Sequence, residues 1–184
     1  MALTKVRRIP PKLNAASLQE LALRYVGKYA TTRAKLRAYL ARKVRERGWD
    51  GEREPDLEAL AERFAGLGYI DDAAYALSKS RSFVSRGYGK RRLTEKLRID
   101  GVDETDGVDA QAHADDNAVD AALRFAERRR VGPFSRGSTD IQQREKWISA
   151  MVRAGHPFPL ARAIAAMPAG AEIEKDTLLE RFGG

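Results

Sequence analysis

The chain has 184 residues, 43 % of them apolar and 33 % charged, with a net charge of +8 and a sequence pI of about 9.9. It contains no cysteine, which excludes a disulfide framework, a Cys-based zinc site and a thiol nucleophile. No apolar run approaches the roughly 18 residues of a membrane span, so no membrane partner is expected. The first residues, MALTKVRRIPPKLN, put basic side chains ahead of no apolar core. They read as a basic flexible arm over 1–16 rather than a secretory leader, and a cytoplasmic location is expected.

Strand signals are nearly absent, because β-branched residues are scattered and alternation is never sustained. Helical periodicity dominates, and the fold class predicted is all-α. Ser17-Leu18-Gln19-Glu20 has the spacing of a capping box, with Leu21, Tyr25 and Tyr29 following at i, i+4 and i+8. A second helix is predicted from Thr31 or Thr32, with Leu36, Tyr39, Leu40 and Val44 on one face and Gly48 as its stop. Glu54-Pro55-Asp56 opens a third, Pro standing near its first position, with Leu57, Leu60, Ala61 and Phe64 as its apolar face. The stretch GLGYIDDAAYA (66–76) ends that helix at Gly66 and Gly68, offers Tyr69 and Ile70 as an apolar plug between units, and starts the next helix at Asp71 or Asp72. That fourth helix runs through Phe83 to a break at Gly87-Tyr88-Gly89. KRRLTEKLRIDG (90–101) is the fifth, and Asp103 caps a sixth that ends near Ala114. A seventh runs from about Asn117 to Arg130. After a loop at 132–138 come an eighth from Thr139 to Ala154 and a ninth from Pro159 to Met167. Residues 170–184 add one weak helix.

Two patterns repeat along this series. The pairs Leu36/Leu40, Leu93/Leu97 and Trp147/Met151 are each four apart and follow basic lead-ins, and Gly101 and Gly155 stand four beyond the second and third pairs. Charge alternates in step: net +10 over 1–50, −5 over 51–78, +7 over 79–98, −8 over 99–123, +5 over 124–153 and −1 thereafter. The reading is three tandem three-helix repeats, 17–70, 71–116 and 117–168, with a C-terminal tail at 169–184. A unit of that size is marginal alone, so the units are expected to stack into an elongated, curved molecule.

Catalytic constellations are missing. The two histidines, His113 and His156, fall in different units without partner motifs, and His156 is expected at the surface. There is no Walker loop, and Gly87-Tyr88-Gly89 lacks the strand and third glycine of a dinucleotide site. An enzyme is not expected, and neither a metal nor a cofactor is called for. What remains is a set of basic helix faces suited to a polyanion or an acidic protein surface.

Three stretches carry a family resemblance: TTRAKLRAYLARK (31–43), ERFAGLGYIDDAAYA (62–76) and SRGYGKRRLTEKLRIDGV (85–102). They resemble the RecX regulators of the bacterial recombinase RecA, in order over residues 17 to about 167. The third unit departs, having Met151-Val152-Arg153-Ala154-Gly155-His156 where the family often has a more basic, aromatic stretch. The resemblance implies an elongated helical monomer in the groove of the RecA filament on single-stranded DNA. There it would suppress ATP hydrolysis, strand exchange and cleavage of the repressor of the DNA-damage (SOS) response. Lys35, Arg37, Arg42, Arg86, Lys90, Arg91, Arg92, Arg98, Arg128 and Arg129 are the residues expected to meet recombinase or DNA, duplex DNA being a second candidate ligand. Tyr88 either stacks on a base or packs over its glycine turn. The competing reading is a plain helical nucleic-acid-binding module, with KRRLTEKLR as its recognition helix.

Overall fold

A computed structural model describes residues 11–137 and 140–183. Residues 1–10 of the basic arm, and Thr139, lie outside the described residues. Every regular element among the described residues is helical, and the chain divides after Asp71 into two compact units.

The first unit, residues 11–71, holds α1 (Ala15–Lys28), α2 (Arg33–Arg47) and α3 (Leu57–Gly66). Asn14, rather than Ser17, caps α1. Its side chain accepts from the Ser17 backbone N–H at 2.9 Å, and Ser17 Oγ accepts from the Asn14 N–H at 2.9 Å. Ser17 is therefore the inner partner of the box, and Glu20 is left to pair with Arg24. Thr32 caps α2 and Asp56 caps α3, so Pro55 precedes the cap instead of following it. The core gathers Leu18, Ala22, Leu36, Leu40, Ala61, Phe64 and Ile70. Leu13 is also fully buried there, and backbone hydrogen bonds to Gly48 and Asp50 tie it down. Residues 11–16, assigned to the arm from sequence, thus belong to the body of this unit.

The 66–76 stretch resolves into a helix stop of one kind. Gly66 is still helical; only Gly68 takes a positive φ, +78°. Tyr69 N–H then reaches back to the Phe64 carbonyl at 3.0 Å, the wrap-around closure that satisfies terminal carbonyls. Ile70 is buried in the first unit's core, whereas half of Tyr69 stays exposed beside the Phe64 ring. The same closure ends four further helices, at Gly87, Gly101, Arg130 and Gly155.

The second unit, residues 72–183, holds α4 (Asp72–Ser85), α5 (Lys90–Ile99), α6 (Glu104–Asp116), α7 (Ala118–Arg129), α8 (Ile141–Arg153), α9 (Phe158–Ala166) and α10 (Lys175–Phe182). One apolar cluster lies among α4, α5 and α6, around Ala76, Phe83, Leu93, Leu97 and Ala110. A larger one joins α7, α8, α9 and α10 through Val119, Phe125, Met151, Leu160, Ile164 and Leu178. The weak C-terminal helix expected from sequence is α10, and Leu178 seats it in this cluster. Tyr88 touches both clusters. The pairs Leu36/Leu40, Leu93/Leu97 and Trp147/Met151 are core positions throughout, Trp147 being half-buried and the rest buried.

Candidate functional site

The break at Gly87-Tyr88-Gly89 is docked onto the turn after α8. Gly89 N–H donates to the Ala154 carbonyl at 2.9 Å, and a Cβ on Gly89 would stand 2.3 Å from the Gly155 oxygen. Gly155, at φ +97°, has the Arg92 nitrogen 2.6 Å from where its Cβ would be. Backbone meets backbone here, and only glycine leaves the room.

His156 locks the contact. Only 3 % of it is exposed, which corrects the surface position expected from sequence. Its Nε2–H donates to the Gly87 carbonyl at 3.1 Å, and its ring meets Phe125 edge-on. Burial pushes the imidazole pKa down to about 4, the hydrogen bond to Gly87 opposing weakly, because desolvation penalises the cation. The ring is therefore neutral at pH 7 and acts as a strut. Sequence reasoning missed it because a histidine after a helix-ending glycine carries no local sign of what will cover it.

This docking builds a cleft. Tyr88, held half-buried against Phe83, has guanidinium groups around its ring: Arg92 at 4.3 Å from the centroid, Arg86 at 5.6 Å and Arg128 at 5.9 Å. The cleft, about 400 Å³, is lined by Tyr88, Arg92, Arg128, Arg129, Trp147 and Arg153 among others, and by no carboxylate. The four lining arginines are exposed, and none of them has an ion-pair partner among the described residues. Each cation–π contact at such a site is worth about 0.5–1 kcal/mol, which biases Arg92, Arg86 and Arg128 towards the ring without neutralising them. The result is a positive pocket with Tyr88, Phe125 and Trp147 in its wall, the chemistry that accepts phosphate and an adjoining flat base.

The sequence-predicted residues sort accordingly. Arg86, Tyr88, Arg92, Arg128 and Arg129 come together at the cleft, from α5, α7 and the turn between α4 and α5. Lys90, Arg91 and Arg98 line a different groove, with Thr94, Gln111 and Phe158, and Lys90 is ion-paired with Asp115. Lys35, Arg37 and Arg42 belong to α2 of the first unit, where Arg37 pairs with Glu58 and Arg42 with Glu46. Trp147 and Arg153 are additions. They come from α8, some 60 residues beyond Tyr88, and nothing local in the sequence links them to it. Among the described residues no cluster of side chains could hold a metal ion, and no helix is long and apolar enough to cross a membrane.

No family model matches the chain. Individual relatives do. The regulatory protein RecX of Myxococcus xanthus (strain DK1622) is 31 % identical over 163 residues, 84 % of this chain and 87 % of that protein. The chain belongs to the RecX family. RecX of Agrobacterium fabrum is 34 % identical over 140 residues, 74 % of each chain. The crystal structure of RecX from Lactobacillus salivarius superposes with a TM-score of 0.59 at 18 % identity, covering 81 % of this chain and 92 % of that one. A second crystal structure of a RecX regulatory protein gives 0.57 at 22 % identity, over 81 % and 72 %. The all-helical fold and a regulatory role therefore stand together on the RecX relationship.

Proposed function

We propose that this chain regulates the RecA recombinase by binding its filament on single-stranded DNA, and that it lowers the filament's ATPase, strand-exchange and coprotease activities. It would thereby restrain recombination, DNA repair and the SOS response. The carboxylate-free arginine cleft around Tyr88, in a RecX-family chain, is the observation that carries this reading. Unpaired guanidiniums have phosphate oxygens or acidic side chains as their natural partners. A phosphodiester strand held by the filament supplies phosphates at regular spacing. The three triplets of helices, each with a basic second helix, would act as tandem repeats of an elongated monomer and meet successive positions along the filament. The chain works by binding, without catalysis or cofactor, in the cytoplasm.

The test is RecA ATPase on single-stranded DNA with increasing amounts of this protein. The native chain should inhibit. A variant carrying Arg92→Glu and Arg128→Glu should not, whereas Lys90→Gln, whose native cation already faces Asp115, should retain most of the inhibition. Sequence-specific duplex binding with no effect on the recombinase would favour the plain nucleic-acid-binding module instead.

A further inference from the structure

The first unit carries a second aromatic and cationic surface, built from residues that look like core in the sequence. Tyr25 of α1 and Tyr39 of α2 stack face to face, centroids 4.2 Å apart and planes 15° apart. Both rest on the unit's apolar core, which fixes their position. Tyr29, the residue that ends α1, tilts against Tyr25 at 5.4 Å and leaves half of its surface open to solvent. Tyr29 is not part of the core cluster. Its contact with Tyr25 orients the ring, and the half that stays open is free to meet a ligand.

Cations frame the three rings. Lys28 Nζ lies 5.3 Å from the Tyr29 centroid and the Arg42 guanidinium 5.7 Å from that of Tyr39. With Arg24 they line a shallow cleft of about 450 Å³ that has no carboxylate in its wall. Glu20 and Glu46 pair with Arg24 and Arg42 from outside it, at 3.3 and 3.6 Å on exposed side chains. Pairs of that kind are worth little and yield to a phosphate.

We infer that this tyrosine cluster is a base-stacking site for single-stranded nucleic acid, in which Tyr29 and the Tyr25–Tyr39 pair take an unpaired base while Arg24, Lys28 and Arg42 take the flanking phosphates. Charge complementarity selects a polyanion. Flat, exposed rings select one whose bases are free, since a duplex offers only phosphates and groove edges to a shallow surface. The inference rests on reading the chain as a partner of a DNA-carrying filament, but it uses a different unit and different residues from the Tyr88 cleft.

The experiment compares binding of the full-length protein to a fluorescent oligo-dT strand, an abasic strand of the same length and a duplex, by anisotropy at fixed salt. The native chain should prefer oligo-dT to the abasic strand. Tyr29→Ala should lose about tenfold in oligo-dT affinity and leave abasic binding unchanged. Tyr29→Phe should keep the preference, and Lys28→Ala should weaken both strands alike. Equal affinity of native and Tyr29→Ala protein for oligo-dT would overturn the inference, as would binding of the duplex as tight as that of oligo-dT with the same tyrosine dependence. An Arg92→Gln/Arg128→Gln variant separates the two readings. If it alone loses binding, the cleft of the second unit stands and this site falls; if Tyr29→Ala alone loses binding, the reverse holds.

Discussion

Acidification should loosen the second unit through one residue. His156 titrates near 6.5 in an unfolded chain and near 4 when buried. A base with a depressed folded pKa leaves stability intact above the unfolded value. Stability is then lost as pH falls from about 6.5 towards 4, because the unfolded chain takes up the proton first. The full gap of about 2.5 units is worth roughly 3 kcal/mol, and between pH 7 and pH 5 about 2 kcal/mol of it is lost. Trp49 and Trp147 are the chain's two tryptophans, one in each unit, so a Trp49→Phe background lets Trp147 fluorescence report urea unfolding of the second unit alone. Comparison with His156→Gln in the same background removes any pH dependence that does not come from this imidazole. The variant should be less stable at pH 7, having lost the strut, yet its stability should fall about 2 kcal/mol less between pH 7 and pH 5. If the two proteins lose stability in parallel, His156 is not the neutral buried strut inferred from its surroundings.

Other perturbations follow from the same packing. Gly89→Ala places a methyl group 2.3 Å from the Gly155 oxygen and should separate the turn from α8, lowering the stability of the second unit by at least about 3 kcal/mol in the same fluorescence assay. Asp100, 2 % exposed, accepts from Tyr75 Oη at 2.8 Å and Lys96 Nζ at 2.7 Å; Asp100→Ala removes both bonds, Lys96 turning to water, and should cost about 1–3 kcal/mol. Arg130 holds a left-handed conformation at φ +55° where four other helix ends use glycine, so Arg130→Gly should raise the second unit's urea midpoint by the equivalent of about 1 kcal/mol. Leu178→Ala should cost about 2–3 kcal/mol and release α10, detectable as faster amide exchange over 175–182.

Much of this fold was legible because helix ends are written locally. Thr32 and the glycines at 48, 68, 87, 101 and 155 act on neighbours within a turn or so, so their roles can be read without a tertiary structure, whereas Asp56, which the position of Pro55 puts in the first turn of α3, proves to be its cap. The core pairs at Leu36/Leu40 and Leu93/Leu97 were legible for a similar reason, since a 3.6-residue period states which face is buried. The start of α1 misled because Ser17 fits a box from either side, and only the buried Leu13 shows that the chain is already docked by Asn14. The site was legible only in part. Tyr88 and the arginines beside it in sequence form a visible motif, but which cations remain unpaired is decided by distant carboxylates. Asp115 claims Lys90 and Glu58 claims Arg37, across gaps of 25 and 21 residues, while Arg92 and Arg128 meet none among the described residues. The burial of His156 and the approach of Trp147 and Arg153 are likewise properties of helix packing, which composition and periodicity do not encode.

The claim on which the rest depends is that the Tyr88 cleft neutralises phosphates, and the salt dependence of single-stranded DNA binding tests it most directly. Each phosphate neutralised contributes about 0.7 to the slope of log K against log salt for a single strand. Replacing Arg92, Arg128 and Arg129 with glutamine should therefore flatten the slope by about 2 while circular dichroism and urea unfolding stay native. An unchanged slope and affinity in that folded variant would contradict the account.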